Sequence, residues 1–436
     1  MTRFWMLGGL LLGLTLGAMS LHVPGTRELS IRDNMWFVII AGISLAVYLL
    51  AVWLVLHRPA PRHTVWVVLL VAAALRLPLI PVLPFLSSDV NRYVWDGMVQ
   101  VDGINPYRYI PADPALVPLR DQAVYPHVNR AEYAPTIYPP AAQAIFAATA
   151  LLWPSVTGVK IVMVGFEVLA VVCLLRLLAA ARLPAERVLI YVWNPLPVWA
   201  FASDGHIDAA TVGFVSLALL LRTRRRDGFA GIVMGAAIAT KFLPAVVAPA
   251  LWRRGARWRL AICCALTVAV LFALYSSVGW RMFGFLRGYG AEEGMTDGSG
   301  IWLLAGLARA VPLPAIAVPL YWTAVLGLLA GLAGWLAFIR RPDDPVALCG
   351  AAAILMAVVT FAISPHYPWY FAWLAVPAVL APYRALVWLA ASPILFYLDT
   401  FGDRFIWPSV VFVPTLLLAL ADLRPSCVAA PIKGNT

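Results

Sequence analysis

The sequence predicts an all-α polytopic membrane protein, and three observations predict it. Of the 436 residues, 62% are hydrophobic and only 12% are charged, where a soluble domain carries about a quarter charged residues. The mean hydropathy is +0.85. Apolar runs of span length recur along the chain, and about 20 residues cross the hydrocarbon core as a helix. The arginines cluster between those runs, as the positive-inside rule expects of cytoplasmic loops. The formal charge of +11 is therefore a topology signal, not a nucleic-acid footprint. Cys173, Cys263, Cys264, Cys349 and Cys427 lie in apolar runs or in the tail. Their spacing suggests neither a disulfide framework nor a metal site.

Phe4–Leu21 and Met35–Leu56 are the first two spans. The first is read as a retained span rather than a cleaved signal, because that keeps the sidedness consistent. Arg58 and Arg62 place the next loop in the cytoplasm. Val65–Leu86 then runs outward, and residues 87–138 form a long outer loop rich in Pro, Asp and Tyr. A loop this long is expected to be ordered, since long structureless loops are uncommon.

Thr136–Trp153 is apolar but short, with Pro139 and Pro140 near its start. Counting it as a span would put Arg182, Arg187 and the Arg222–Arg226 cluster outside. It is therefore expected to lie along the outer surface. Val159–Leu178 runs inward, Val188–Ala202 outward to SDGHID, and Ala209–Leu221 returns. Phe229–Trp252 has arginine clusters at both ends, the second from Arg253, and Lys241 near Pro244 in its middle. Two short helices meeting at Lys241 satisfy both flanks; a straight span is the alternative.

Leu260–Val278 leads out to a second outer loop, 281–300. Ile316–Ile339 returns to Arg340 and Arg341. Val346–Ile363, Phe371–Leu380, Ala385–Leu398 and Trp407–Leu420 then alternate, ending inside at Arg424. Their outer segments are SPHYPWY (364–370) and DTFGDRF (from Asp399). About a dozen spans satisfy the charge rule. The outer segments collect most of the Asp, Glu, His, Tyr and Trp, and no internal repeat is visible.

The stretch SSDVNRYVWDGMVQVDGINPYRY, Ser87 to Tyr109, concentrates carboxylates, guanidiniums and aromatics at the mouth of the bundle. In a helix, Asp89, Arg92, Tyr93 and Asp96 share one face, at spacings of three, four and seven. Asp89 reads as a general base in a partly dry site. A capping carboxylate with surface Asp–Arg pairs is the bland alternative. His366 lies between Pro365 and Pro368 and reads either as a donor to a leaving phosphate or as a polar cap in an aromatic belt. Lys241 near mid-span needs phosphate or an acid such as Glu167. Arg76 and Glu167 are expected to form a structural pair. Asp204, His206 and Asp208 share SDGHID; a metal site there is a weak alternative, since the spacing fits no common ligand pattern well. Glu292, Glu293 and Asp297 in the second loop could contact a polar substrate.

DVNRYVWDG with GINPYRY, TIYPP, WNPLPVWAFASDGHID, ATKFLP and SPHYPWYF follow one another in that order. Together they resemble the polyprenol-phosphate-dependent glycosyltransferases of the GT-C superfamily, over roughly residues 64–385. The bacterial mannosyltransferase-like members, glycosyltransferase family 87 included, are the most similar. The resemblance implies a GT-C type bundle of about 12–13 transmembrane helices over residues 64–436, with juxtamembrane helices and the catalytic site in the 87–138 loop. Residues 1–63 would be an accessory transmembrane pair ahead of the usual first span.

The resemblance maps the base onto Asp89, a site tyrosine onto Tyr93 and a site histidine onto His366. Arg92, Asp96, Arg108, Tyr138, His206, Lys241 and Tyr367 are nominated beside them for substrate and phosphate, with no metal and no cofactor. The implied reaction transfers a hexosyl, foremost mannosyl, group from a polyprenyl-phosphate-linked sugar. The acceptor is a glycolipid or glycan hydroxyl on the outer face of the cytoplasmic membrane, and the anomeric centre is inverted. The alternative is a transporter or lipid flippase whose path is lined by Arg76, Glu167 and Lys241.

Overall fold

Proline placement decides which apolar runs become long helices. Thr2–Met19, Arg32–His57, Val156–Ala180, Ala317–Arg340 and Pro345–Ile363 are long and apolar enough to cross a bilayer. Side-chain caps set three of their starts. Ser30 accepts from Asp33 N, Ser155 from Gly158 N, and Asp344 from Val346 N and Ala347 N. The computed structural model describes residues 1–22, 30–252, 258–340, 342–398 and 402–423. The expectations placed on Arg253, Arg341, Asp399, Arg424 and Cys427 lie outside the described residues. Every regular element among the described residues is helical.

The dozen spans expected from the sequence are not a dozen long helices. Val65–Leu86 yields α3 only over Thr64–Arg76, because Pro78, Pro81 and Pro84 prevent its continuation. Val188–Ala202 is broken at Asn194, whose side chain caps a Pro195–Pro197 turn before a π-helical Val198–Ser203. Phe371–Leu380 is likewise a 3-10 turn, Pro368–Leu374, followed by Ala375–Ala378. Both broken stretches are buried, the setting in which irregular backbone is tolerated at membrane depth.

Buried polar contacts hold these pieces together. Arg76 grips Glu167 with two hydrogen bonds, 3.0 and 2.7 Å, and donates to Val192 O at 2.8 Å. This is the pairing expected from the sequence, and it ties α3 to α6 (Val156–Ala180). Lys160, fully buried, donates to Leu79 O and Val82 O at 2.7 and 2.6 Å, which fastens the proline turn to α6. α1 (Thr2–Met19) and α2 (Ile31–His57) enter the same hydrophobic core as the rest, and Tyr48 Oη donates to Ile190 O at 2.7 Å.

α4 is Asp89–Val101 and α5 is Pro140–Leu152. They pack closely at Gly97, where a Cβ would lie 2.9 Å from that of Ala150. The 13 residues of α5 make a helix of about 20 Å, too short for a hydrocarbon core of about 30 Å. The Asp227–Thr240 helix stops at Lys241, whose backbone is extended (φ −154, ψ 133), and the chain resumes as a 3-10 helix, Leu243–Leu251. The break falls at Lys241, just ahead of Pro244, where the sequence places it. The Arg259–Ala273 helix bends by 110° into Ser276–Glu292.

Candidate active site

α4 starts immediately after the proline turn, so its first residue stands at the edge of a cavity of about 600 Å³. Asp89 and Tyr93, one turn apart, both line it, with Tyr138, Lys241 and Tyr367. The turn itself contributes Pro84, Phe85 and Leu86. The outer loop folds back over α4, and Asn129 Nδ2 donates to Asp89 Oδ1 at 2.6 Å. The other oxygen, Oδ2, lies 3.7 Å from His206 Nδ1. The Asp89 side chain keeps 18% of its exposure. Burial raises its pKa above the ordinary carboxylate value, against the charges of Arg130 and Lys241 and the Asn129 hydrogen bond.

His206 is buried behind Asp89, on a turn made possible by Gly205 (φ +68). Its ring stacks on Trp369 at 3.8 Å, and its Nδ1 lies 3.5 Å from Tyr93 Oη. Burial, reinforced by Lys241, pushes its pKa well below the usual imidazole value, so the ring is neutral at physiological pH. Asp204, His206 and Asp208 do not converge. Asp204 contacts Ser203 and Tyr397, His206 faces Asp89, and Asp208 pairs with Lys241 at 2.5 Å. The Lys241 ammonium also sits 3.4 Å over the Tyr370 ring.

Five nominated residues are not in the cavity lining: His206, behind Asp89, and four others. Arg92 and Asp96 point away from it: Arg92 Nε donates to Asp96 Oδ1 at 2.9 Å, and Gln143 Nε2 to Asp96 Oδ2 at 2.9 Å. A helical face is about 100° wide, and spacings of three and four fall on its opposite margins. That is why Tyr93 follows Asp89 into the cavity while Arg92 turns into the protein. Arg108 lines a separate, smaller pocket. His366 stands behind Tyr367, with Nδ1 2.9 Å from Glu293 Oε2. The second loop does reach the cavity, through Tyr289, and Arg130 Nε bonds Glu292 Oε2 at 2.7 Å.

Sequence reasoning did not select Asn129, Arg130, Tyr289 or Trp369 for the site, and it did not pair Asp208 with Lys241. SDGHID holds an acid at the start of one apolar run and ATKFLP a lysine inside the next, the signal from which that pair was readable. Asn129 sits 40 residues from Asp89 in an aperiodic loop and leaves no such signal.

The fold is a helical membrane bundle with a carboxylate, aromatics and a lysine around one cavity. The chain belongs to the α-(1→6)-mannopyranosyltransferase family, whose N-terminal domain matches residues 3–254. It is also similar to α-(1→6)-mannopyranosyltransferase A of Mycobacterium tuberculosis, at 26% identity over 385 residues, covering 77% of this chain and 67% of the relative. No solved structure matches. The protein is a membrane glycosyltransferase, and family membership sets the transporter and flippase reading aside. Two of the charges invoked for a transport path, Arg76 and Glu167, are locked to each other.

Proposed function

We propose that the protein transfers a mannosyl group from a polyprenyl-phosphate-linked donor to an acceptor hydroxyl, with Asp89 as general base. The active site faces the outer side of the cytoplasmic membrane. The observation that carries this reading is the Asp89 carboxylate. Among the described residues two carboxylates line the cavity, Asp89 and Asp208. Asp208 is held by Lys241, whereas Asp89 has an oxygen facing only a neutral histidine ring.

In the reaction, the acceptor O–H gives its proton to Asp89 as its oxygen bonds to the anomeric carbon. The bond from that carbon to the phosphate oxygen breaks, and the electron pair leaves with the lipid phosphate. Lys241 and Arg130 are the cations of the lining and would balance the developing negative charge. One base and one displacement invert the anomeric centre, by the logic of inverting glycosidases. An α-linked product, the linkage in the family's description, then requires a β-linked donor.

The test is transfer in detergent from β- and α-linked polyprenyl-phosphate mannose to a membrane lipid extract, with Asp89→Asn alongside. Transfer from the β-linked donor alone, lost in the variant, is expected. Transfer by the variant at the wild-type rate would remove Asp89 from the mechanism, and use of the α-linked donor for an α-linked product would remove the single displacement.

A further inference from the structure

The second pocket, about 210 Å³, lies between the Tyr107–Ile110 stretch of the first outer loop and Arg281 and Gly284 of the second. It is separated from the catalytic cavity by the strand of loop around Tyr138. Tyr107 Oη donates to Tyr138 O at 2.6 Å, and Tyr138 lines the cavity on the other side. The two loops are fastened to each other here. Phe285 N donates to Thr136 O at 3.1 Å, Asn105 Nδ2 to Ser277 Oγ at 3.1 Å, and Tyr275 Oη to Gln100 Oε1 at 2.8 Å.

Two arginines open onto this pocket, Arg108 and Arg281, both exposed. Among the described residues neither forms an ion pair with a carboxylate, whereas Arg92, Arg130 and Arg309 each do. Arg108 rests only against the Tyr109 ring, 5.6 Å from its centroid. A concave site with two free guanidiniums and tyrosines suits a phosphate, which guanidinium binds with two parallel hydrogen bonds.

The surroundings decide what carries that phosphate. Ser276–Glu292 is bent by 110° from the apolar helix before it, so with that helix standing across a bilayer the segment would lie along the surface. Trp280, beside Arg281, is 86% exposed, and Leu274 is 68% exposed. Tryptophan and apolar side chains in an in-plane segment are anchors at headgroup depth.

We propose that this pocket binds the phosphate of an anionic phospholipid headgroup, as a lipid site distinct from the catalytic cavity. Its occupant bridges Arg108 of the first outer loop and Arg281 of the second, and so braces the wall that carries Tyr138. The assignment does not depend on the transferase chemistry, because binding is read directly.

The experiment is native mass spectrometry of the full chain released from detergent, titrated with phosphatidylglycerol, phosphatidylcholine or inorganic phosphate. The wild type is expected to prefer phosphatidylglycerol. A basic residue near an anionic surface contributes about fivefold in affinity, so Arg108→Gln with Arg281→Gln should weaken that binding about 25-fold. Arg108→Lys with Arg281→Lys, which keeps both charges and loses the paired hydrogen bonds, should fall between the wild type and the glutamine pair. Should the glutamine pair fail to fold, the single variants, each weakened about fivefold, give the answer. Wild-type phosphatidylglycerol affinity in the glutamine variants, or equal preference for phosphatidylcholine, overturns the proposal. Inorganic phosphate binding as tightly as the lipid would make this a soluble-anion site and overturns it too.

Discussion

Asp89 and Asp96 stand two turns apart on one helix and do opposite things. Asp96 is 2% exposed, and each of its oxygens accepts a hydrogen bond, from Arg92 and from Gln143. Asp89 has Asn129 on one oxygen and only a neutral imidazole at 3.7 Å from the other. A carboxylate whose lone pairs are filled is a fastening. One with an open oxygen, at a cavity, in surroundings that raise its proton affinity, is equipped to take a proton. The difference lies in what the outer loop and α5 bring to each end of α4, not in the residue type.

The largest expected effect comes from Asp89→Asn. Loss of a positioned base costs typically 10²–10⁴ in rate, so a fall of about a thousandfold in kcat is expected in the sugar-transfer assay. The fold should survive. Asp96→Asn should invert that pattern, because it leaves Arg92 buried with an uncompensated charge. Breaking a buried pair this way costs about 3–5 kcal/mol, read as a lowered thermal unfolding midpoint. Turnover per folded molecule should stay within a few-fold. Similar kcat losses in the two variants at equal stability would erase the contrast.

Lys241→Gln comes next. Lys241 holds Asp208 and lines the cavity, so a fall of about a hundredfold in kcat, typical for loss of an electrostatic donor, is expected. Asp208→Asn should do less, since it leaves the lysine in place. A KM effect alone would mark Lys241 as a binding group only.

The pH dependence is a smaller and sharper test. Asp89 has a raised pKa, so the acid limb of kcat/KM should lie above the ordinary aspartate value of about 4. The sign for stability follows from the same shift. The folded protein binds the proton more tightly than the unfolded chain, so Asp89 lowers stability as pH rises towards and through its folded pKa. Asp89→Asn removes that loss, and its unfolding midpoint should exceed the wild type's by more at neutral than at acid pH. Smallest is Arg130→Gln. Its pair with Glu292 is partly exposed, 20% and 30%, and worth about 1 kcal/mol or less. A few-fold fall in kcat is expected, because Arg130 shares the developing charge with Lys241.

The residues carried most of the fold class and about half of the candidate site. Long apolar runs without prolines, such as Val346–Ile363, became helices almost residue for residue. The run Val65–Leu86 did not, because hydropathy registers apolarity and not the missing N–H groups of its prolines. At the site, Asp89 and Tyr93 were legible one turn apart in a polar stretch that follows an apolar run, and Lys241 as a charge inside one. Arg92 and Asp96 were legible as a pair but not in direction, since helical spacing alone leaves the rotation of α4 open. Asn129 and Trp369 reach Asp89 and His206 through tertiary contacts that no local pattern encodes.

The proline turn ahead of Asp89 has a kinetic consequence. Pro84, Phe85 and Leu86 give the cavity a greasy sill at the end of an apolar run, so a polyprenyl donor of the proposed kind would slide in sideways and keep its tail among the acyl chains. Encounter then happens in two dimensions. The quantity that saturates the enzyme is the mole fraction of donor in the lipid phase, and the amount of buffer around the membrane drops out. Doubling the bilayer lipid at fixed donor should slow an unsaturated enzyme about twofold, while doubling the water should change nothing.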